Sequence, residues 1–160
     1  MPGSGKSTVG VLLAKELRKE FLDTDLLIQT RTGRGLQDIL DEDGIPGFLA
    51  VEESAILQFE PKGMVVATGG SVIYSRSAME HLSSRGVCVY LDCSVRALEQ
   101  RLSNLDSRGV VRAPGQSVEA LFRERDPLYR AWAKFVVDNG HDDHGVVVEE
   151  IARQLRISAD

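Results

Sequence analysis

The chain has 160 residues, of which 42% are hydrophobic and 27% charged, as expected for one soluble domain with a sizeable core. Its net charge of -5 disfavours nucleic-acid binding, and no apolar run approaches the roughly 20 residues that span a bilayer. The start lacks the basic and apolar segments of a signal peptide, and we interpret Cys88 and Cys93 as reduced thiols. We therefore expect a cytoplasmic protein, and we expect it to be monomeric.

Apolar spacing predicts alternating helices and short strands along the chain. Helices are predicted over 6–18, 25–32, 36–41, 48–59, 75–84, 94–102, 117–133 and 146–155, with breaks at Ile45-Pro46-Gly47 and near Pro127. Strands are predicted over 21–23, 64–67, 87–91 and 135–137. This alternation is typical of an α/β fold in which helices cover both faces of a parallel sheet. The stretch 103–116 has little apolar periodicity and predicts a mobile loop.

A glycine-rich run at the start of the first helix predicts a phosphate-binding loop. The run is Gly3-Ser4-Gly5-Lys6-Ser7-Thr8. Glycines let main-chain N–H groups surround phosphates, and the helix N-terminus adds partial positive charge. In such a loop Lys6 reaches the β- and γ-phosphates and the Ser7 hydroxyl binds Mg²⁺. An ordinary glycine turn is the weaker interpretation.

The loop is incomplete at its amino end. The full pattern is G-x-x-x-x-G-K-[ST], and its first glycine would fall one residue before Met1. The strand that should precede the loop, normally central in the sheet, is also missing. We expect either a gene start placed too late or the loss of that element, and we favour the first.

Two carboxylates, Asp23 and Asp25, follow the first predicted strand. Ligands of parallel sheets gather at the carboxyl ends of strands. One aspartate could hold Mg²⁺ and the other could face a substrate hydroxyl. The alternative is that Asp25 only caps the next helix.

At this point the sequence resembles the shikimate kinase family. The resemblance rests on an ordered set of segments between residues 3 and 138: G-S-G-K-S-T-V-G, F-L-D-T-D, R-T-G, V-V-A-T-G-G, V-Y-L-D, E-R-D-P-L-Y-R and V-V-D. It implies an ATP-dependent kinase of a small hydroxy acid, with a three-layer P-loop fold over residues 1–160. The central parallel sheet would have about five strands, the first of them missing here, and residues 103–116 would form a lid.

The resemblance also implies roles for individual residues. Lys6 and Ser7 would handle phosphate and magnesium, Asp23 would be the second magnesium-associated residue, and Asp25 would contact and activate the substrate hydroxyl. Residues expected to bind the substrate are Asp25, Gly69, Gly70 and Arg125, of which Arg125 would pair with a carboxylate. A surface ion pair with Glu124 or Asp126 is the alternative for Arg125.

Three arginines follow from the same resemblance. Arg108 matches the lid arginine that reaches the phosphates, and Arg112 is the second candidate. Arg101 matches the position that packs against adenine, with a solvated helix arginine as the alternative. Catalysis would thus depend on Lys6, Asp25 and Arg108. The predicted nucleotide site is Gly3, Ser4, Gly5, Lys6, Ser7, Thr8, Arg101 and Arg108.

Two substrate positions depart from the family. Leu49 stands where the family has a second carboxylate-binding arginine, and Ser71 replaces the third glycine of a triplet. Losing that arginine would cost about 1.5–3 kcal/mol of acceptor affinity. Three hypotheses remain open: a kinase of shikimate, a kinase of another acceptor, and a non-catalytic nucleotide-binding module.

Overall fold

The computed structural model describes residues 1–102, 109–140 and 143–157. Helices in this part of the chain begin and end close to their predicted limits. They are α1 (Lys6–Leu17), α2 (Thr24–Thr32), α3 (Leu36–Leu57), α4 (Arg76–Ser83), α5 (Val95–Arg101), α6 (Val118–Trp132) and α7 (His144–Ile157). Serine side chains explain three of the starts, because Ser75, Ser94 and Ser117 each accept a hydrogen bond from a main-chain N–H of the first turn.

The strands are short and all pair in parallel. They are β1 (Glu20–Asp23), β2 (Met64–Ala67), β3 (Val89–Asp92) and β4 (Phe135–Asp138). Strand β1 pairs with β2, placing Asp23 opposite Ala67, and β3 pairs with β4, placing Asp92 opposite Asp138. The loops that follow β1 and β2 therefore leave the same end of one pair, where Asp25 and Gly69 meet.

The sheet agrees with the expectation of about five strands of which the first, normally central, is missing. Within the described residues it consists of four strands in two separate two-stranded pairs. Strands β2 and β3 line two apolar cavities between the pairs, of about 190 and 330 Å³. No described residue supplies a strand between β2 and β3, so the two pairs are not joined by main-chain hydrogen bonds.

Helices pack on both sides of the strands, which gives the predicted three layers. On one side, α1 and α7 bury Val9, Leu13 and Ile151 against Leu91 and Val137. On the other, α3 and α4 bury a second cluster made of Ile56, Val72, Ile73, Ala78, Met79 and Leu82. The order of elements and the layers confirm the predicted α/β class.

The two predicted helix breaks have different outcomes. Residues Leu36–Leu57 form two helical segments that meet at a kink at Gly44, whose φ of 68° is left-handed, one residue before the predicted break at 45–47. Helix α6 continues through Pro127. A proline there removes only one helical N–H, and its usual acceptor is the carbonyl of exposed Arg123, which water can reach.

Membrane-spanning segments were not expected from the sequence. Over the described ranges, none of the helices combines the length and the apolar character needed to cross a membrane.

Candidate active site

The glycine-rich loop leads directly into α1 and presents its helix N-terminus. Gly3 and Gly5 have φ values of 72° and 81°, in the left-handed region that favours glycine. Gly5 is also the residue before the first helical turn. The Ser4 hydroxyl lies in the interior and donates to the carbonyl of Met1 at 2.9 Å, which fixes the curvature of the loop.

Lys6 projects from the first turn of α1 into the same region. Its Nζ donates to the carbonyl of Met1 at 2.6 Å. Burial lowers the pKa of Lys6, although the nearby charges of Asp25 and Asp23 oppose this change. A phosphate would supply a negative partner for this buried ammonium group.

Ser7 and Asp23 form a pair of oxygen ligands at the end of β1. The Ser7 hydroxyl donates to Asp23 Oδ2 at 2.6 Å, and Asp23 Oδ1 accepts from the main-chain N–H of Asp25 at 2.9 Å. A hydroxyl and a carboxylate so close together fit the oxygen coordination that Mg²⁺ prefers.

Asp25 follows Asp23 in the first turn of α2 and is half-buried. Burial raises the pKa of Asp25, the charge of Asp23 raises it further, and Lys6 acts in the opposite direction. A carboxylate with a raised pKa is a stronger proton acceptor than an exposed aspartate. The capping contact at the start of α2 is made by the side chain of Asp23, so capping does not explain Asp25.

Gly69 and Gly70 form the turn after β2 and let polar groups approach the main chain closely. The Gly69 N–H donates to the Thr24 hydroxyl at 2.8 Å. A Cβ atom on Gly69 would lie 2.3 Å from Glu52 Oε1 and 2.9 Å from Asp25 Oδ1. Gly69 therefore separates two carboxylates that a larger residue would displace.

Arg125 is fully buried even though it carries a charge. Its relative exposure is 1%, its Nε donates to the Tyr74 hydroxyl at 3.0 Å, and its Nη2 donates to the carbonyl of Val111. A Cβ atom on Gly70 would lie 3.2 Å from Nη1, so the guanidinium edge faces the glycine turn. This placement does not match the alternative of a surface ion pair with Glu124 or Asp126.

Of the three arginines predicted for the lid and the adenine site, the structure describes Arg101 and Arg112. Arg101 is half-buried, and its Nη1 lies 3.6 Å from Cys93 Sγ. Arg112 donates to the carbonyl of Gln116 at 2.7 Å. Arg108, with the segment 103–108 of the predicted lid, lies outside the described residues.

One polar cavity of about 320 Å³ brings most of the predicted site together. Its walls include Gly3, Gly5, Lys6, Ser7, Thr8, Asp25, Gly69, Gly70, Arg101 and Arg125. Ser4 and Asp23 do not line it and instead hold Met1 and Ser7 from behind. The phosphate loop, a half-buried carboxylate and a buried arginine thus share one space.

Sequence reasoning did not identify Glu52 as a site residue. This residue is 2% exposed on α3, and its Oε1 has no hydrogen-bond partner among the described residues. Burial raises the pKa of Glu52 to about 7, Ser71 opposes this by hydrogen bonding, and the charge of Asp25 adds to the rise. Leu49, one helical turn earlier, packs in an apolar cluster with Phe48. Its uncharged side chain cannot form an ion pair with Glu52.

Comparison with known proteins identifies the family. The family model described as shikimate kinase matches residues 2–156, which is nearly the whole chain. The chain belongs to the shikimate kinase family. A shikimate kinase of Methylococcus capsulatus is 39% identical over 152 residues, covering 93% of this chain and 85% of that protein. The shikimate kinase of Vibrio vulnificus is 37% identical over 160 residues, covering 98% and 92%.

Solved shikimate kinases share the fold. The enzyme from Acinetobacter baumannii, solved in complex with shikimate, has a TM-score of 0.89 and 33% identity, covering 99% of this chain and 89% of that one. The enzyme from Aquifex aeolicus has a TM-score of 0.85 and 29% identity, with coverages of 99% and 94%. These matches confirm the family resemblance and the P-loop fold. The activity that defines the shikimate kinase family is ATP-dependent phosphorylation of the shikimate hydroxyl.

Proposed function

We propose that this chain transfers the γ-phosphoryl group of ATP to a hydroxyl of shikimate. Membership in the shikimate kinase family supports the reaction. The roles assigned to individual residues rest on one observation: Lys6, Asp25 and Arg125 line the same cavity. Such a space can hold a nucleotide phosphate and an acidic acceptor side by side.

In this proposal the residues act by positioning and by charge. A bond forms between the acceptor oxygen and the γ-phosphorus, the bond from that phosphorus to the β,γ-bridging oxygen breaks, and ADP leaves. Lys6 stabilises the negative charge that moves toward ADP. Asp25 orients the hydroxyl and accepts its proton, for which its raised pKa is suited.

We propose Mg²⁺ as the cofactor, held by the oxygen ligands of Ser7 and Asp23. The proposal is supported by Ser7, which lines the cavity and donates to Asp23 Oδ2 at 2.6 Å. When bound, the ion would neutralise phosphate charge. Ser7 and Asp23 would then exchange their mutual hydrogen bond for contacts to the ion.

The acceptor's carboxylate is assigned to Arg125. A buried guanidinium whose Nη1 lies toward Gly70 offers charged N–H donors that a carboxylate binds well. On the nucleotide side we assign Arg101 to the adenine. We further propose that residues 103–116 act as the lid, with Arg108 as its phosphate-contacting arginine and Arg112 as the alternative.

A second candidate is a shikimate-kinase-like enzyme with another acceptor. Leu49 and Ser71 favour it, because both lie at predicted acceptor positions. Ser71 is buried and hydrogen-bonds with Glu52, so the replaced glycine changes the wall beside Gly69. An acceptor with fewer or differently placed negative groups would suit this wall.

The experiment that separates these candidates offers ATP and Mg²⁺ with shikimate and with a panel of other hydroxy acids and sugars, followed by mass spectrometry of the products. We expect shikimate phosphate as the main product. Asp25→Asn should lose turnover by about 100-fold or more while ATP affinity changes little. Preferential phosphorylation of another acceptor would favour the second candidate, and unchanged turnover in Asp25→Asn would remove Asp25 from the mechanism.

A further inference from the structure

The side chain of Tyr74 lies directly against the arginine assigned to the acceptor. Tyr74 ends a short 3₁₀ turn, Val72–Tyr74, that follows the Gly69-Gly70 turn. Its hydroxyl accepts from Arg125 Nε at 3.0 Å, and its ring lies 5.0 Å from Arg125 Cζ. Tyr74 thus restrains the Arg125 guanidinium in two ways, by a hydrogen bond and by a cation–π contact.

Glu124 completes the environment of the tyrosine. The Tyr74 hydroxyl donates to Glu124 Oε1 while accepting from Arg125. Burial, with a further contribution from Glu124, raises the pKa of Tyr74, so the hydroxyl keeps the proton it donates. The direction of the phenol hydrogen is therefore fixed, and its lone pairs face Arg125.

The same contacts reach residues 109–116, the described part of the proposed lid. Gln116 Nε2 donates to Glu124 Oε2 at 2.7 Å, and Arg125 Nη2 donates to the carbonyl of Val111. Tyr74 is therefore linked to residues 111 and 116 through its two partners, Arg125 and Glu124.

We propose that Tyr74 is a positioning residue that orients Arg125 for the carboxylate of the acceptor. The inference rests on the proposed function, in which Arg125 binds that carboxylate. Leu49 stands where the family has a second arginine, so acceptor affinity depends strongly on how well the guanidinium of Arg125 is oriented before binding. Tyr74 contributes to that orientation alongside the Val111 carbonyl and Tyr129, because it occupies Nε and one face of the guanidinium and leaves Nη1 toward Gly70.

The test compares Tyr74→Phe, which removes the hydroxyl, with Tyr74→Leu, which also removes the ring. Tyr74→Phe should raise the KM for shikimate about 3- to 10-fold, and Tyr74→Leu should raise it further, while the KM for ATP stays within about twofold. Tyr90→Phe is a matched control, because Tyr90 forms a similar tyrosine–arginine pair elsewhere. The Tyr90 hydroxyl donates to Asp126 Oδ1 at 3.0 Å, and Arg130 Cζ lies 5.4 Å from the centre of the Tyr90 ring. This control should leave the KM for shikimate unchanged.

Two further measurements separate positioning from a general structural role. With the methyl ester of shikimate, which lacks the carboxylate charge, wild type and Tyr74→Phe should have equal KM. In an Arg125→Gln background, adding Tyr74→Phe should have no further effect. A KM increase that persists with the ester or in that background would overturn the proposal, as would a wild-type KM in Tyr74→Phe.

An NMR measurement makes the test independent of the proposed function. The Arg125 Nε–H resonance should be protected from exchange in wild type and should lose that protection in Tyr74→Phe. Unchanged protection would overturn the orienting role whether or not shikimate is the acceptor. Absence of shikimate turnover in the wild type, with protection lost in the variant, would count against the proposed function and support the orienting role of Tyr74.

Discussion

Replacing Glu52 by glutamine should remove a pH-dependent loss of stability from this protein. Glu52 is 2% exposed, its Oε1 has no hydrogen-bond partner in the described part of the chain, and its pKa rises from the usual 4.5 to about 7. Below pH 4.5 the carboxyl is neutral in both the folded and the unfolded state. Between pH 4.5 and 7 the folded state retains a proton that the unfolded state releases, so the free energy of unfolding falls as pH rises.

The size of the effect follows from the two pKa values. The difference between them lowers the free energy of unfolding by about 3 kcal/mol once the pH exceeds the folded-state pKa of Glu52. Most of this decrease falls between pH 5 and pH 8. Glutamine has the same shape and cannot ionise. The free energy of unfolding of Glu52→Gln, relative to wild type, should therefore increase by about 2–3 kcal/mol from pH 5 to pH 8.

Urea unfolding of the ligand-free protein at pH 5, 6, 7 and 8 measures this difference. Glu53→Gln is the matched control, because it makes the same chemical change at the next residue. Hydrogen bonds from Ser75 and Ser77 lower the pKa of Glu53, so its contribution has the opposite sign. Parallel pH curves for wild type and Glu52→Gln would show that Glu52 is ionised in the folded state and would refute the reasoning.

Three substitutions test other parts of the site. Leu49→Arg restores the family arginine next to Phe48, which lines the cavity. It should lower the KM for shikimate about 10-fold in steady-state kinetics with ATP saturating, and an unchanged KM would mean that Leu49 is not at the acceptor. Arg108→Gln should lower kcat about 100-fold, and Arg112→Gln should lower it less when both variants are measured side by side. A larger loss of kcat in Arg112→Gln would make Arg112 the lid arginine.

The phosphate loop could be predicted because its chemistry is contiguous in sequence. Gly5, Lys6 and Ser7 are adjacent, and the conformation that they require is local. Asp25 could be predicted from its position after a strand, since parallel strands bring their carboxyl ends to one edge. The structure places these groups in one cavity, while their roles in binding and catalysis stay predictions.

Glu52 and Tyr74 were missed because their importance depends on distant contacts. In the sequence Glu52 is one of two consecutive glutamates on a helix, and only the packing of α3 against the Gly69 turn buries it. Tyr74 meets Arg125 across 51 positions of sequence. Composition and periodicity carry no information about such pairs, so neither residue had a local signal.

The strands were predicted more fully than the helix bends. Four strands and their parallel direction follow from short β-branched runs such as that of β3. The separation of the described strands into two pairs, with no pairing between β2 and β3, agrees with the predicted absence of a central first strand. The bend of α3 at Gly44 arises from the left-handed conformation of one glycine, whereas the pattern pointed to the proline two residues later.

The most direct test of the central claim is ADP release from Mg²⁺-ATP by the purified chain, with and without shikimate, alongside Asp25→Asn. The account predicts saturable release that depends on shikimate and that is lost in Asp25→Asn while the variant still binds ATP. ATP binding by the wild type without any shikimate-dependent release of ADP would contradict it.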